Sequence, residues 1–278
     1  MFSAGAQAVF MPPGGQPLYI KFDNKEQISL SNSIPVPGGG TEGNWGILKF
    51  STIALGDLSS DPIFWDPISP PIWVDSSAAE ITGIFWGIQN LPGATCAAVG
   101  ATICGTGGFI DLYWDDTPDA NLGAATPAHR TGANTFTSFT DGTFLVRLRF
   151  NSGIASGDAS VHLVGTAAPA QGGFAGLADS YVDVVDVNGD SVIDAADGPW
   201  APLLNGNYFT TDFGRRDVRL RTIYNGPLPA WNGPAGTDIF GAQSSDPARV
   251  FTVPEPATLG LIGLGLLGLG LAGRRRTA

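Results

Sequence analysis

The chain has 278 residues, a hydrophobic fraction of 43% and a net charge of −11 at pH 7. This length and apolar content suffice for a packed core and argue against a disordered chain, and the acidic surface argues against nucleic acid as a partner. The 39 glycines and 21 prolines interrupt helices, so the composition favours many short strands joined by turns.

The first eight residues are mostly small and apolar and end in Ala6-Gln7-Ala8. Signal peptidase cuts after triplets of this kind, although the charged and hydrophobic regions that normally precede the cut are absent. We interpret residues 1–8 as the remnant of a signal peptide, with an ordinary alanine-rich leader as the alternative. The exported domain would then cover residues 9–252.

From Pro17 onward, short runs of β-branched and aromatic residues are bounded by Gly, Pro, Asp and Asn, which is the pattern of strands and turns. The pattern predicts an all-β fold, a jelly-roll-like β-sandwich, followed by one C-terminal transmembrane helix. The predicted strands are Leu18–Phe22, Gln27–Ser31, Gly46–Ile53, Ile81–Gln89, Phe109–Trp114, Thr143–Phe150, Val161–Val164, Tyr181–Val185, Tyr208–Phe213 and Asp217–Tyr224. Long surface loops are predicted at residues 38–43, 120–134 and 227–247.

Two cysteines, Cys96 and Cys104, lie in a stretch rich in Gly, Ala and Thr that indicates a loop or hairpin tip. The short segment between them can close into a disulfide, which would add about 2.5 kcal/mol of stability. Two free buried thiols are the alternative. The features that place the chain outside the cytoplasm favour the disulfide.

Some tryptophans could stack on sugar rings. Trp45, Trp86 and Trp114 fall inside strand patterns and are predicted to be core residues. Trp65 and Trp73 lie in a Pro-rich segment and are the better candidates for contact with a glycan.

A basic cluster, formed by Arg215, Arg216, Arg219 and Arg221, precedes the C-terminal tail. Arg219 and Arg221 are predicted to share a strand face, where their guanidinium groups could pair with an acidic polysaccharide. The alternative is a solvated face balanced by neighbouring Asp residues.

No catalytic residue is assigned, and the chain is not expected to be an enzyme. The two histidines, His129 and His162, lie in no nucleophile or zinc motif. The many Asp residues leave a glycosidase-type pair of carboxylates open as an alternative.

Residues 186–197 read Asp-Val-Asn-Gly-Asp-Ser-Val-Ile-Asp-Ala-Ala-Asp. Oxygen-bearing side chains at loop positions 1, 3, 5, 9 and 12, and a carbonyl at position 7, have the spacing of EF-hand calcium ligands. Carboxylates so close together repel one another unless a hard divalent cation neutralises them, so Ca²⁺ is the expected cofactor. The predicted ligands are Asp186, Asn188, Asp190, Val192, Asp194 and Asp197.

This segment resembles the dockerin-type calcium loop, in which Asp commonly closes position 12. It departs from the pattern because Ser191 stands where EF-hand loops have glycine, a strand is predicted directly before the loop, and a second loop is absent. Binding to a cohesin is therefore not expected. We predict a single calcium staple, with a metal-free acidic turn as the alternative.

The C-terminal tail, residues 253–278, combines three features in order. Pro254-Glu255-Pro256 is followed by an apolar segment at residues 257–273 and then by Arg274, Arg275 and Arg276. The apolar segment predicts a helix of about 25 Å, at the short end of what spans a bilayer, and the arginines would keep the C-terminus in the cytoplasm.

The tail resembles the PEP-CTERM sorting signal of bacterial exosortase substrates. The resemblance implies that exosortase, a membrane transpeptidase, recognises the Pro-Glu-Pro element and detaches the exported domain. It also implies transient anchoring in the inner membrane, then a structural or adhesive role at the cell surface or in the extracellular matrix, linked to exopolysaccharide and biofilm. A plain single-pass anchor is one alternative for the tail. A carbohydrate-binding module or carbohydrate-active enzyme is the alternative for the exported domain.

Overall fold

The computed structural model describes residues 8–57, 66–166 and 174–253. Strands predominate in these ranges, so the all-β prediction is confirmed. The strands are β1 (Pro17–Ser29), β2 (Ile34–Pro35), β3 (Thr41–Glu42), β4 (Asn44–Gly56), β5 (Pro67–Val74), β6 (Glu80–Asn90), β7 (Ile103–Thr106), β8 (Phe109–Asp115), β9 (Arg130–Gly132), β10 (Thr135–Phe136), β11 (Thr143–Asn151), β12 (Leu163–Gly165), β13 (Phe174–Val184), β14 (Phe209–Thr211), β15 (Gly214–Arg216), β16 (Val218–Gly226) and β17 (Ile239–Phe251). The helices are α1 (Gly93–Ala98) and α2 (Ala201–Leu204), and short 3₁₀ turns lie at Pro127–His129, Ala195–Asp197 and Pro229–Trp231.

The long strands form one antiparallel sheet that closes on itself. Around the ring the order is β4, β6, β8, β11, β13, β16, β17 and β1, and β1 pairs with β4 to complete the circle. The closed sheet differs from the predicted sandwich. In a sandwich two separate sheets enclose the core, whereas here the strands on all sides of the core are hydrogen-bonded into one sheet. The main hydrophobic core, including Leu18, Phe50 and Val250, lies inside the ring.

Strand β11 alternates between core and exterior with one interruption. Val146, Leu148 and Phe150 are buried in the core. The register with β8 shifts between Phe144 and Val146, so Leu145 is fully buried instead of Phe144. A bulge of this kind adds one residue to a strand, which a strict period of two in the sequence does not reveal.

Strand β17 overturns the loop predicted at residues 227–247. It lies between β16 and β1, in the middle of the sheet, although it contains Gly241 and Pro247. Its ladder with β16 is interrupted between Ala248 and Ser244, so Pro247 falls where no N–H donor to β16 is required. The predicted strands Leu18–Phe22 and Gln27–Ser31 are likewise parts of one continuous strand, β1.

A second apolar cluster lies under the loops on one outer face of the ring. Trp45, Phe136 and Trp231 are almost completely buried there, with their rings 5.5–6.4 Å apart. Trp45 is therefore a core residue as predicted, but of this outer cluster rather than of the ring interior.

One end of the ring is the point from which the C-terminal tail leaves, and we call it the tail end. Because neighbouring strands are antiparallel, β4, β13 and β17 all finish at this end and β1 begins there. Trp200 and α2 close it by packing into the main core. The last described residue, Val253, donates its N–H to the carbonyl of Leu203 at 2.7 Å.

Candidate functional site

The predicted calcium loop lies at the tail end, between β13 and α2. Strand β13 stops at Val184, and Val185 donates to the carbonyl of Arg147. After the loop, Trp200 is fully buried and donates its indole N–H to the carbonyl of Phe10 at 2.8 Å. The loop is thus held at both ends by well-packed structure, and Asp186, Asp190 and Asp194 stay at least partly exposed while Asp197 is fully buried.

Acidic side chains in the first half of the loop accept hydrogen bonds from the backbone that follows them. Asp186 accepts from the N–H groups of Gly189 and Ser191, each at 2.6 Å. Asp190 accepts from the N–H of Val192 at 2.8 Å. These are side-chain turns of the kind that Asp forms, and they fold the backbone around the carboxylates.

Asp197 fastens the two halves of the loop together. Its carboxylate accepts from the N–H groups of Val187 at 2.7 Å, Asn188 at 3.1 Å and Asp194 at 3.1 Å. Desolvation raises the pKa of Asp197, but these hydrogen bonds outweigh it, so the pKa lies below its ordinary value. Asp194 in turn accepts from the N–H of Ala196 and caps the 3₁₀ turn.

Ser191 adopts the left-handed backbone conformation, with φ of 71°. This is the loop position at which EF-hand loops have glycine, so the chain makes the same sharp turn without the usual residue. An L-residue pays about 1–2 kcal/mol for this conformation, and glycine avoids that penalty.

We expect Ser191→Gly to raise the free energy of unfolding by about 0.5 kcal/mol, since glycine relieves the strain but loses more chain entropy on folding. Urea unfolding measures the change. Ser76→Gly is the matched control at an exposed position with an ordinary φ, and it should lower stability. A loss of stability in both variants would show that the turn at Ser191 is not strained.

The loop's carboxylates are not gathered around one point in the structure. Among the described residues, the group of three or more His, Cys, Asp or Glu side chains whose ligand atoms all lie within 4.8 Å of one another is Glu80, Asp115 and Asp119, also at the tail end. The loop acids, however, have no ion pair with a basic side chain in the described part of the chain. The donor set is therefore oxygen-only and unneutralised, which suits a hard cation.

The acidic group of Glu80, Asp115 and Asp119 was not predicted from the sequence, and it has a basic partner in Lys49. Glu80 is fully buried and accepts from the N–H groups of Asp119 and Ala120. Its other oxygen lies 2.7 Å from the ammonium of Lys49. Desolvation and the carboxylates of Asp141, Glu80 and Asp115 raise the pKa of Asp119. No sequence motif links these residues, because they meet only through the pairing of β4, β6 and β8.

Cys96 and Cys104 form a disulfide in the structure, with an S–S distance of 2.17 Å. The bond joins α1 to β7 at the end of the ring opposite the tail end. Both residues are buried against Ala155 and Val161, so the bridge lies within a small apolar cluster.

Of the predicted glycan contacts in the described residues, Arg219 is buried, and Arg221 and Trp73 are partly exposed. Arg219 is only 4% exposed, and its guanidinium contacts Asp179 at 2.9 Å and lies over the ring of Tyr181. Arg221 shares Asp179 at 3.0 Å, so the two arginines do lie on one face, in an ion-pair network in which Arg219 is buried and Arg221 is partly exposed. Trp73 is partly buried and packs near Phe10.

The other predicted features lie outside the described residues. These are Trp65, the sorting residues Pro254, Glu255, Pro256, Arg274, Arg275 and Arg276, the predicted transmembrane helix 257–273 and most of the predicted signal-peptide remnant. In the described part of the chain, the helices are all too short or too polar to cross a membrane.

Comparison with known proteins identifies one region of the chain. Residues 252–276 match the model of the PEP-CTERM protein-sorting motif. No curated protein and no solved structure matches the chain. The motif indicates an exported protein that carries a membrane-anchored C-terminal sorting signal and is processed by exosortase.

Proposed function

We propose that the chain is a structural or adhesive component of the cell surface or extracellular matrix, released from its membrane anchor by exosortase and associated with exopolysaccharide. The observation that carries the proposal is the sorting motif at residues 252–276, which begins one residue after the last residue of β17. A closed sheet and a disulfide give a stable unit that tolerates an extracellular setting. The helix proposed at residues 257–273 would be the temporary anchor.

Glu255→Ala should keep the protein in the membrane fraction when it is expressed, with a signal peptide, in a host that has exosortase. The substitution removes the carboxylate of the Pro-Glu-Pro element, which the two prolines hold in an extended backbone. Thr258→Ala, three residues further into the same tail, is the control and should be released normally. Normal release of the Glu255 variant would contradict recognition of this element.

Carbohydrate binding or turnover is less well supported as a second function. The burial of Arg219 removes one predicted contact, and Trp45, Trp200 and Trp231 are buried in the two hydrophobic clusters. Trp73 and Arg221 keep partial exposure and stay the candidates for a glycan contact.

We further propose that the loop at residues 186–197 binds one calcium ion that stabilises the tail end. Asp186, Asn188 and Asp190 would supply side-chain ligands and the Val192 carbonyl a backbone ligand. Asp197 already fastens the loop backbone, so the ion would act on a turn that is largely formed. Binding is expected to be weak, with a dissociation constant on the order of 10⁻⁴ to 10⁻³ M as in extracellular modules.

Calcium at ten times its dissociation constant should add about 1.4 kcal/mol and raise the melting temperature by a few degrees. Asp190→Ala should abolish this shift, because it removes a central ligand on an exposed turn. Asp158→Ala is the matched control: Asp158 is partly exposed, and its carboxylate accepts from the N–H of Ser160 two residues ahead, as Asp190 accepts from Val192. If calcium still raises the melting temperature of the Asp190→Ala variant, the ion binds elsewhere. If neither calcium nor a chelator changes the melting temperature of the native protein, the loop is a metal-free turn.

A further inference from the structure

Exposed apolar side chains are concentrated at the tail end of the ring. Eight large apolar side chains in the described residues are exposed by 38–55%. Five of them belong to the tail end: Met11, Ile68, Ile72, Val187 and Val192. The other three are Leu30, at the opposite end of β1, Val74, whose partner Thr52 lies four residues before the end of β4, and Ile223, five residues along β16 from its start.

The position of these side chains follows from pairing and packing. Ile68 pairs with Leu55 near the end of β4, and Ile72 comes directly before Trp73, which pairs with Ile53 on the same strand. Met11 follows Phe10, whose carbonyl accepts from the Trp200 indole inside this end. Val187 and Val192 belong to the loop that follows β13. The apolar side chains thus come from separate segments of the chain and lie at the same end of the ring.

The chain leaves the domain at this same end. The N–H of Val253 donates a hydrogen bond to the carbonyl of Leu203 in α2. Only Pro254, Glu255 and Pro256 separate Val253 from the apolar segment 257–273. Three residues span about 10 Å even when fully extended. An inserted tail therefore holds the tail end within about 10 Å of the lipid headgroups.

We propose that, before the tail is cut, the tail end of the domain rests on the lipid surface, with Ile68 and Ile72 in contact with the interface. This rests on the proposed function, because it requires the tail to be anchored in the membrane. Because the anchored tail holds the domain next to the membrane, the effective concentration of lipid is high, and a small apolar area suffices for contact.

The chemistry of β5 favours lipid over a second copy of this chain. Strand β5 is the edge of the sheet, and its Pro67, Pro70 and Pro71 lack the N–H groups that strand addition requires. Asp66 and Asp75 flank the strand, and Asp75 forms an ion pair with Lys49 at 3.3 Å. The negative charge of Asp66 favours a zwitterionic surface over an anionic one.

The test uses the full chain reconstituted in phosphatidylcholine vesicles, with a spin label on Ile68→Cys or, as the control, on Ile223→Cys. The two positions match in residue type and exposure, 49% and 48%, and the native cysteines are already joined in a disulfide. Collision with oxygen, which enters lipid, is compared with collision with a water-soluble nickel complex. The ratio should rise severalfold at position 68 on reconstitution and stay at its aqueous value at position 223.

Three other outcomes of the spin-label experiment would contradict the proposal, and each shows which part of it is wrong. If the protein floats with the vesicles but both labels stay aqueous, the lipid contact is wrong and the anchored tail stands. If the protein does not float, both the anchor and the contact are wrong. If position 68 becomes shielded only when exosortase is added, the apolar surface contacts protein rather than lipid, and the proposal is overturned.

Discussion

Arg130→Met should lower the free energy of unfolding by about 3–5 kcal/mol, because it leaves the charge of Glu42 buried without its partner. The guanidinium of Arg130 contacts the Glu42 carboxylate, and the two side chains are only 2% and 1% exposed. Arg130 also lies 4.2 Å from the centre of the Trp45 ring and donates to the carbonyl of Ala133. Glu42 in turn accepts from the N–H of Gly87 at 2.7 Å.

Urea unfolding at pH 7 measures the loss. Arg149→Met, on the exposed face of β11, is the matched control and should change stability by no more than about 0.5 kcal/mol. The double variant Glu42→Gln, Arg130→Met should recover much of the loss, since glutamine keeps the acceptor for Gly87 and removes the buried charge. Equal effects of Arg130→Met and Arg149→Met would show that the buried pair does not hold the loops on the ring.

Glu26→Gln should remove a decline in stability of about 3 kcal/mol that the native protein shows as the pH rises. Glu26 points into the ring and is 4% exposed, beside a cavity of about 60 Å³. Among the described residues that line this cavity, Tyr224 is the only other ionisable one. Burial raises the pKa of Glu26 from 4.5 to about 7, against a lowering by the hydrogen bond from Asn44.

The free energy of unfolding falls as the pH rises because the pKa of Glu26 is raised in the folded state. Below about pH 4.5 the carboxyl is protonated both folded and unfolded, so it costs no stability. Between pH 4.5 and about 7 the unfolded chain loses the proton first, and the free energy of unfolding falls; above about 7 the penalty is complete. Glutamine stays neutral and avoids the penalty.

Urea unfolding of both proteins at pH 5 and pH 8 provides the measurement. Burial also raises the pKa of Asp217, to about 6, but this group acts equally in both proteins and cancels in their difference. The stability gained by the variant should be much larger at pH 8 than at pH 5. The same difference at both pH values would show that Glu26 is not a buried acid.

The sequence predicted those features that depend on neighbouring residues. Alternation located most strands, and the Asp spacing defined the loop that Asp197 fastens. The sorting tail was recognisable because all three of its parts lie within the last 26 residues.

Features that depend on distant residues were missed. Glu42 and Arg130 are 88 residues apart, and neither belongs to a motif. Strand β17 was predicted to be a loop because Gly241 and Pro247 are poor strand formers, yet its neighbours β16 and β1 hold it in the sheet. Arg219 lies on the outer face of β16 as the alternation predicts. The sequence could not show that Asp179 and the ring of Tyr181 bury it there.

The intact mass of the protein released from an exosortase-containing host tests the central claim most directly. Processing at the sorting motif predicts that the released protein keeps the domain through β17 and lacks the apolar segment 257–273 and the arginines 274–276. The same gene in a host without exosortase should yield only the full-length, membrane-associated chain. Released protein that still carries Arg274, Arg275 and Arg276 would contradict the account.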